Sequence, residues 1–577
     1  MRRGAANILL FASVLALTAA LAIVLTGGAT LDAIPLTLRN PIRPLTAGLV
    51  MLAAAWIVAG DAFGEIARPF VGSRERRPAR IAALASACVV VFALAWTSRA
   101  SGGSDSSCYV LQAEAFAHGH ATLANPVAAS LPGVPNEVFA PTGFHASREY
   151  GAAVPICAPG LAMLMAAAYL IHPSAVFLVV PVCAALLVWL TFVYGRRLDG
   201  DVTGACAAVL VACSPIFLYQ AVQPMSDVPA AAAWLAAVVL VSRGDRAGAI
   251  GGGMYAAFAI LIRPNLALLV IPLLFLKNRP VPFSEKGTGP FSDGKRGQVG
   301  FLVAAAPGVA VLLALNVVRY GGVFASGYGD AGTLFSADRV AQNLARYPAW
   351  IVETKTPFVL LAFAAPWALR RDAARARLAS VSLASIALLL ATYLAYTVFD
   401  DWWYIRFLLP ALPLVLAMSV AVLRALMARV SAQAAAFTLA AITTALSVWY
   451  VDVARDRHVT DLQALEARFA RAGEYAKRNL PANAVVLAVQ QSGSIRFHGR
   501  HDTVTWDAIP PDALDALLAR LYAHGRTPYI ALEDVEEQHF RQRFAGQRAA
   551  ALDARPVAEL PAPGRVRFYA TTIDHTR

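Results

Sequence analysis

Charge is what this sequence has least of. Asp, Glu, Lys and Arg make up 15% of its 577 residues against 58% hydrophobic, and the mean hydropathy is +0.57. Folded as a water-soluble globule, such a chain would expose large apolar patches, so the composition excludes that class and indicates an integral membrane protein. Cysteine is also scarce, with six residues, no CxxC pair and no histidine cluster, so nothing has the spacing of a zinc site. A nucleotide-binding fingerprint is missing too: the GGG at 251–253 lies inside an apolar run, where small residues serve helix packing. The formal net charge of +13 comes mostly from arginines in short loops, which reports orientation and anionic lipid and gives no ground for nucleic-acid binding.

What the sequence has in abundance is apolar runs long enough for a hydrocarbon core of about 30 Å. They recur until about residue 451, after which the chain turns charged and mixed. Loops rich in Lys and Arg (68–80, 195–201, 242–246, 277–297, 370–377, 424–429) read as cytoplasmic. Between them fit thirteen spans, at about 7–27, 45–62, 81–97, 174–194, 202–219, 226–241, 248–262, 264–276, 300–318, 352–369, 379–398, 406–423 and 432–450. The N-terminus is then inside and the tail outside; the first segment reads as a span and not as a cleaved leader. The segment 158–171 is short and bounded by Pro159-Gly160 and His172-Pro173, so it reads as an interfacial or half-inserted helix. The division expected is 1–80, two helices and a loop; 81–451, a transmembrane catalytic unit with outward loops 98–157 and 319–356; and 452–577, a soluble periplasmic α/β domain. In the tail, helices are expected in DLQALEARFARAGEYAKRNL and PPDALDALLARLYAHG, and strands in AVVLAV, TPYIALE and RVRFYATTI.

This topology sets Asp105, Asp227, Arg263, Arg319, Lys355, Asp400, Asp401 and Arg406 at the outer ends of spans, where ionisable groups are costly and are functional candidates. For two of them the residues leave a plainer reading open. Asp105, in SGGSDSSCY, could cap a helix starting near Ser106, and Ser226 or Asp227 could cap the helix that carries Pro229 in its first turn. Arg263, in LIRPN, is suited to bidentate contact with a phosphate or to anchoring at the membrane edge. FDDWWYIRFLLPALP, 399–413, combines carboxylates, Trp402, Trp403, Tyr404 and Arg406 before a span; it reads as a site for a sugar face and a phosphate, or as an aromatic belt with a snorkelling arginine. The loop 319–356, rich in glycine and aromatics, reads as a flap over that site or as an amphipathic surface segment. Cys108 and Cys157 both face outward and could pair.

Taken in order, SGGSDSSCY, VPICAPGLAML, GRRLDGDVTG, SPIFLYQAVQPMSDVPA, LIRPN and WWYIRFLLPALP resemble the bacterial branch of the GT-C membrane glycosyltransferases, related to protein O-mannosyltransferases and to the lipid A aminoarabinose transferase. The resemblance covers roughly 81–450 and departs from the usual pattern at Cys157-Ala158 and at Ser106, which leaves donor and acceptor undefined. It implies transfer of a hexosyl or pentosyl group from a polyprenyl-phosphate donor to an envelope acceptor hydroxyl, in lipid, polysaccharide or protein, on the periplasmic face of the inner membrane. A lipid phosphate leaves readily, so one carboxylate suffices as general base, and the anomeric centre inverts. On this reading Asp105 is the base. Arg263 and Arg406, with Arg319 and Lys355, hold the phosphate; Trp402, Trp403 and Tyr404 line the groove; Asp227 orients a neighbour or binds the sugar. A divalent cation, Mg or Mn, at Asp105 and Asp227 is the one cofactor the resemblance leaves open. The competing readings are a transporter or flippase of an amphiphilic envelope precursor, and a non-catalytic assembly factor. The outer-surface clustering of charge and the lack of inverted repeats speak against transport.

Overall fold

The computed structural model describes residues 4–13, 16, 20, 29–31, 36–38, 42–60, 77–277, 293–329, 331–427, 431–552, 555–561 and 563–571. The chain is an α-helical polytopic membrane protein ending in a small α/β domain. Among the described residues six helices are long and apolar enough to cross a bilayer, 77–96, 173–198, 298–320, 373–394, 402–426 and 433–456. A seventh candidate is broken, with Asp201–Cys213 and Pro215–Ala221 meeting at 64°. Shorter apolar helices lie at Gly4–Ser13, Arg43–Ala59, Asp227–Val241, Arg246–Ile262, Pro264–Leu274 and Pro357–Ala368, overlapping the remaining expected spans.

Some boundaries differ from those expected. The span placed at 352–369 starts at Pro357, because Val340–Lys355 forms an amphipathic helix that ends at Thr356, a non-glycine residue at φ 61. Most of 14–28 and all of 278–292, the bulk of the 277–300 loop, lie outside the described residues. Pro159–Tyr169 is an eleven-residue helix whose Leu161, Ala162 and Met165 are buried in protein. A two-stranded antiparallel hairpin, β1 (Ala29–Leu31) and β2 (Leu36–Leu38), lies near the N-terminus.

The loop 98–157 is structured. It opens with the helix Gly103–Ala117 and closes on a three-stranded antiparallel sheet of β3 (Leu123–Ala124), β4 (Phe144–Ala146) and β5 (Ala152–Pro155), in the order β3-β5-β4. A disulfide joins Cys108, in that helix, to Cys157 at the loop's far end.

The tail carries the expected helix, at Leu462–Asn479, and the expected strands as β6 (Ala484–Leu487), β8 (Thr527–Glu533) and β10 (Val566–Ala570). The second helix begins at Leu514 and not at the prolines. Strands β7 (Asp502–Val504) and β9 (Ala558–Leu560) and the helix Asp534–Arg543 complete the domain. The sheet order is β7-β6-β8-β10-β9, parallel across β7, β6 and β8 and antiparallel beyond. The tail does not close its own core. Val127, Leu131, Val138 and Phe139 of the loop pack with Val485, Val504, Trp506 and Phe540 in one buried cluster. Asn125 donates to the Thr503 carbonyl at 2.8 Å, and the Thr505 amide to the Val138 carbonyl at 2.8 Å. Loop and tail are thus one packed unit.

Two outcomes follow. The disulfide closes a separation of 49 residues, worth about 4 kcal/mol in the chain-entropy account. Replacing Cys108 and Cys157 together by serine is therefore expected to lower the melting temperature in detergent and to open 118–156 to proteolysis. In the tail, burial pushes the Glu536 carboxyl up to about 7 from its ordinary 4.5. The folded state then holds a proton that the unfolded state releases, so this contribution is full below pH 4.5 and is lost as pH rises through about 7. Thermal unfolding between pH 5 and 8 should show that loss, and Glu536→Gln should flatten it.

Candidate functional site

The helix Asp227–Val241 is apolar on nearly all sides, and a helix of that kind must be buried. It returns through the SRGDR turn, where Asp245 caps the next helix by accepting from Gly248 N at 2.8 Å, into Arg246–Ile262. This antiparallel hairpin brings the start of one helix to the end of the other, so Asp227 and Arg263 meet although 36 residues apart. Arg263 Nη2 lies 2.5 Å from Asp227 Oδ1, with the carboxylate fully buried, and Arg263 Nε donates to Ser226 Oγ at 3.3 Å. Neither Ser226 nor Asp227 caps the helix with its side chain, so the capping alternative does not hold there.

Asp105 is not a cap either. The helix starts at Gly103 with Gly102 in the N-cap position, and Asp105 stands in its first turn, where the helix dipole favours a negative charge. Its Oδ2 accepts from Arg406 Nη2 at 3.2 Å. The Asp105 side chain is 30% exposed where that of Asp227 is wholly enclosed, which makes Asp105 the carboxylate a ligand can reach. Among the described residues no hydrogen bond reaches its Oδ1.

The two ion pairs share one aromatic partner. Arg406 and Arg263 lie 5.2 and 5.5 Å from the centroid of Phe407, whose ring stacks on Tyr393 at 4.8 Å. Tyr404 stacks on Phe399 at 3.7 Å and lies 5.4 Å from the Arg406 guanidinium. Trp402 and Trp403 both pack on Tyr219, with centroids at 5.5 and 6.1 Å. Tyr109, one helical turn after Asp105, is buried; that burial and the nearby Asp105 charge push its phenol up to about 12, so it remains a donor at neutral pH. The expected flap docks on the loop: His145 Nε2 lies 2.8 Å from the Gly327 carbonyl, and Tyr320 donates to the Pro155 carbonyl at 2.5 Å.

Asp105, Asp227, Arg263, Arg406 and the 402–404 aromatics are therefore brought together. Arg319 and Lys355 hold other contacts. With the Gln112 amide oxygen facing it, Arg319 donates to Gln112 at 2.7 and 2.9 Å, and it also donates to the Ala121 carbonyl at 3.3 Å. Lys355 is 3% exposed and lies 5.4 Å from the Tyr450 ring centroid. Asp400 pairs with Arg346 at 2.7 Å. The residues not singled out from the sequence are Tyr109, Tyr219, Tyr393 and Phe407; only Tyr109 had a local signal, its i+4 spacing from Asp105.

Three buried atoms of the ion pairs, Asp227 Oδ2, Arg263 Nη1 and Arg406 Nε, have no hydrogen-bond partner among the described residues. Buried polar groups of this kind are costly unless something polar meets them. Two guanidinium donors beside one open carboxylate suit an anion with a hydroxyl-bearing group attached. A divalent cation does not fit these residues. Each carboxylate faces an arginine, and among the described residues no group of three His, Cys, Asp or Glu side chains could hold a metal.

The comparisons agree with this architecture. Residues 155–278 match the model of the family described as dolichyl-phosphate-mannose-protein mannosyltransferase. The fold is similar to ArnT from Cupriavidus metallidurans in the apo state, with TM-score 0.51, 14% identity, and coverage of 85% of this chain and 97% of that one. It is similar also to the same protein bound to undecaprenyl phosphate, with TM-score 0.51, 13% identity, and coverage of 84% and 97%. The Archaeoglobus fulgidus oligosaccharyltransferase tethered to an acceptor peptide is similar at TM-score 0.50 and 11% identity, over 86% of this chain and 74% of that one. No curated protein sequence matches this chain. The resemblance to the GT-C glycosyltransferases holds in the fold.

Breaking a buried ion pair strands the remaining charge at a cost of about 3–5 kcal/mol. Asp227→Ala is expected to lower the melting temperature sharply in detergent, and Asp227→Ala with Arg263→Met to recover most of the loss. An unchanged melting temperature for the single variant would mean that the pair is solvated.

Proposed function

We propose that this chain, which has the GT-C fold, is a periplasm-facing inner-membrane glycosyltransferase. It moves one sugar from a polyprenyl-phosphate donor to a hydroxyl of an envelope acceptor. The observation that carries the reading is the open Asp105 carboxylate held by Arg406 beside the buried Asp227–Arg263 pair.

The chemistry asks little more. The acceptor hydroxyl gives its proton to Asp105 while its oxygen attacks the anomeric carbon. The bond from that carbon to the phosphate oxygen breaks with its electron pair, and polyprenyl phosphate leaves with the opposite face of the sugar substituted, which inverts the centre. Arg263 Nη1 and Arg406 Nε, buried and without a hydrogen-bond partner among the described residues, suit the negative charge gathering on the leaving phosphate. Asp227, enclosed, takes the orienting role, holding the Arg263 guanidinium in place. Trp402, Trp403 and Tyr404 offer faces for the sugar or the first prenyl units. The Cys108–Cys157 disulfide supports an oxidising, outward compartment for this face. Tail and loop share a core, so acceptor recognition by that unit is part of the same reading.

The test compares, by mass spectrometry, the envelope glycolipids and polysaccharides of a deletion strain complemented with wild type or with Asp105→Asn at matched membrane levels. One sugar is expected to vanish in the deletion and to return only with wild type. A general acid–base contribution of about 10²–10⁴-fold should leave the variant's product near background. Full restoration by Asp105→Asn would overturn the assignment and favour a transporter or an assembly factor.

A further inference from the structure

The turn that carries Asp105 is gripped residue by residue, and much of the grip comes from the tail, some 360 to 400 positions away in sequence. The Ser101 amide donates to His498 Nε2 at 3.2 Å. The Phe469 ring lies where a Gly102 side chain would go, and a Cβ on Gly493 would stand 1.5 Å from Ser107 Oγ. On the other side Gly143, at φ +90, passes so close that a Cβ there would meet the Ser104 carbonyl at 2.2 Å, and Cys108 is bonded to Cys157. The Gly143 strand end is itself tied to the tail: the Thr142 amide donates to Ser492 Oγ at 2.9 Å and its hydroxyl to the Val489 carbonyl at 2.7 Å. Ser101, Gly102, Ser104, Ser107 and Cys108 are thus each held, and Asp105 is left to face Arg406.

We infer that His498, on the tail turn 492–499, is a positioning residue for Asp105: by accepting the Ser101 amide it fixes the register of the turn against the membrane helices. The inference rests on the reading of Asp105 as the base and extends it to the tail. The imidazole is placed to do this. It is half-buried, parallel to the Phe177 ring at 6.1 Å, and its Cβ is backed by Gly473. Burial and the nearby Arg500 push its pKa down to about 4, so the ring is neutral at pH 7, and accepting the Ser101 amide at Nε2 selects the tautomer with its proton on Nδ1. Arg500 in turn pairs with Glu114, near the far end of the Asp105 helix. The tail therefore holds both ends of that helix; without the Ser101 contact, its polar ties among the described residues are Arg500 on Glu114 and Gln463 Nε2 on the Ala95 and Thr97 carbonyls ahead of the turn.

The experiment is hydrogen–deuterium exchange on the full-length chain in detergent, alongside envelope-sugar addition in the complemented deletion strain. His498→Ala is expected to speed exchange in 99–107 about five-fold or more, the effect of losing one hydrogen bond to a buried donor. Strands β6 and β8 should stay protected, and sugar addition should fall. His498→Gln, whose amide oxygen can accept from Ser101, is expected to restore both. Gly493→Ala, which must displace Ser107, should repeat the effect of His498→Ala and decides the matter should that variant lose strand protection. Wild-type exchange in 99–107, undiminished sugar addition, or no rescue by glutamine would overturn the inference. Asp105→Asn in the same assays separates the two claims: if it supports full sugar addition while His498→Ala still loosens the turn, the functional reading fails and the clamp stands.

Discussion

The structure depends on housing two carboxylates at one end of an apolar bundle. A carboxylate there is tolerated only with a partner, and each has one: Asp227 meets Arg263 inside a helical hairpin, and Asp105 meets Arg406 across 301 residues. The first pair is sealed and the second is open, and this asymmetry divides their roles. A sealed carboxylate can orient its arginine; an open one can take a proton from an incoming hydroxyl. The Phe407 ring is a neighbour that both guanidiniums share.

The open pair is held from beyond the apolar helices. The loop 98–157 completes its core with residues of the tail, so the turn bearing Asp105 is clamped between the disulfide, the β3-β5-β4 sheet and the 492–499 turn. A helix start held this way can present one side chain beside the ends of the apolar helices.

Much of this was legible in the sequence, for physical reasons. Apolar period and arginine loops located the helices because the bilayer imposes both, and the gathering of ionisable groups at one set of span ends marked Asp105, Asp227, Arg263 and Arg406 because charge near lipid needs a purpose. The helix-cap alternatives for Asp105 and Asp227 could not be settled locally: a cap and an ion pair use the same residue types, and the partners lie far along the chain. The contacts of Arg319 with Gln112 and of Lys355 with Tyr450, like the tail's share in the loop core, come from packing that no local period records. The last turn of the helix at Val340–Lys355 falls in the expected span 352–369, and the rest in the expected flap 319–356, because its end runs into the apolar stretch that begins at Pro357.

The most direct measurement is an electron cryomicroscopy structure of the full chain with undecaprenyl phosphate in lipid nanodiscs. The phosphate is expected within hydrogen-bond distance of the Arg263 or Arg406 guanidinium, with the Asp105 carboxylate left accessible to an acceptor. A phosphate held by Arg319 or Lys355 instead, with both ion pairs undisturbed and nothing bound between them, would contradict it.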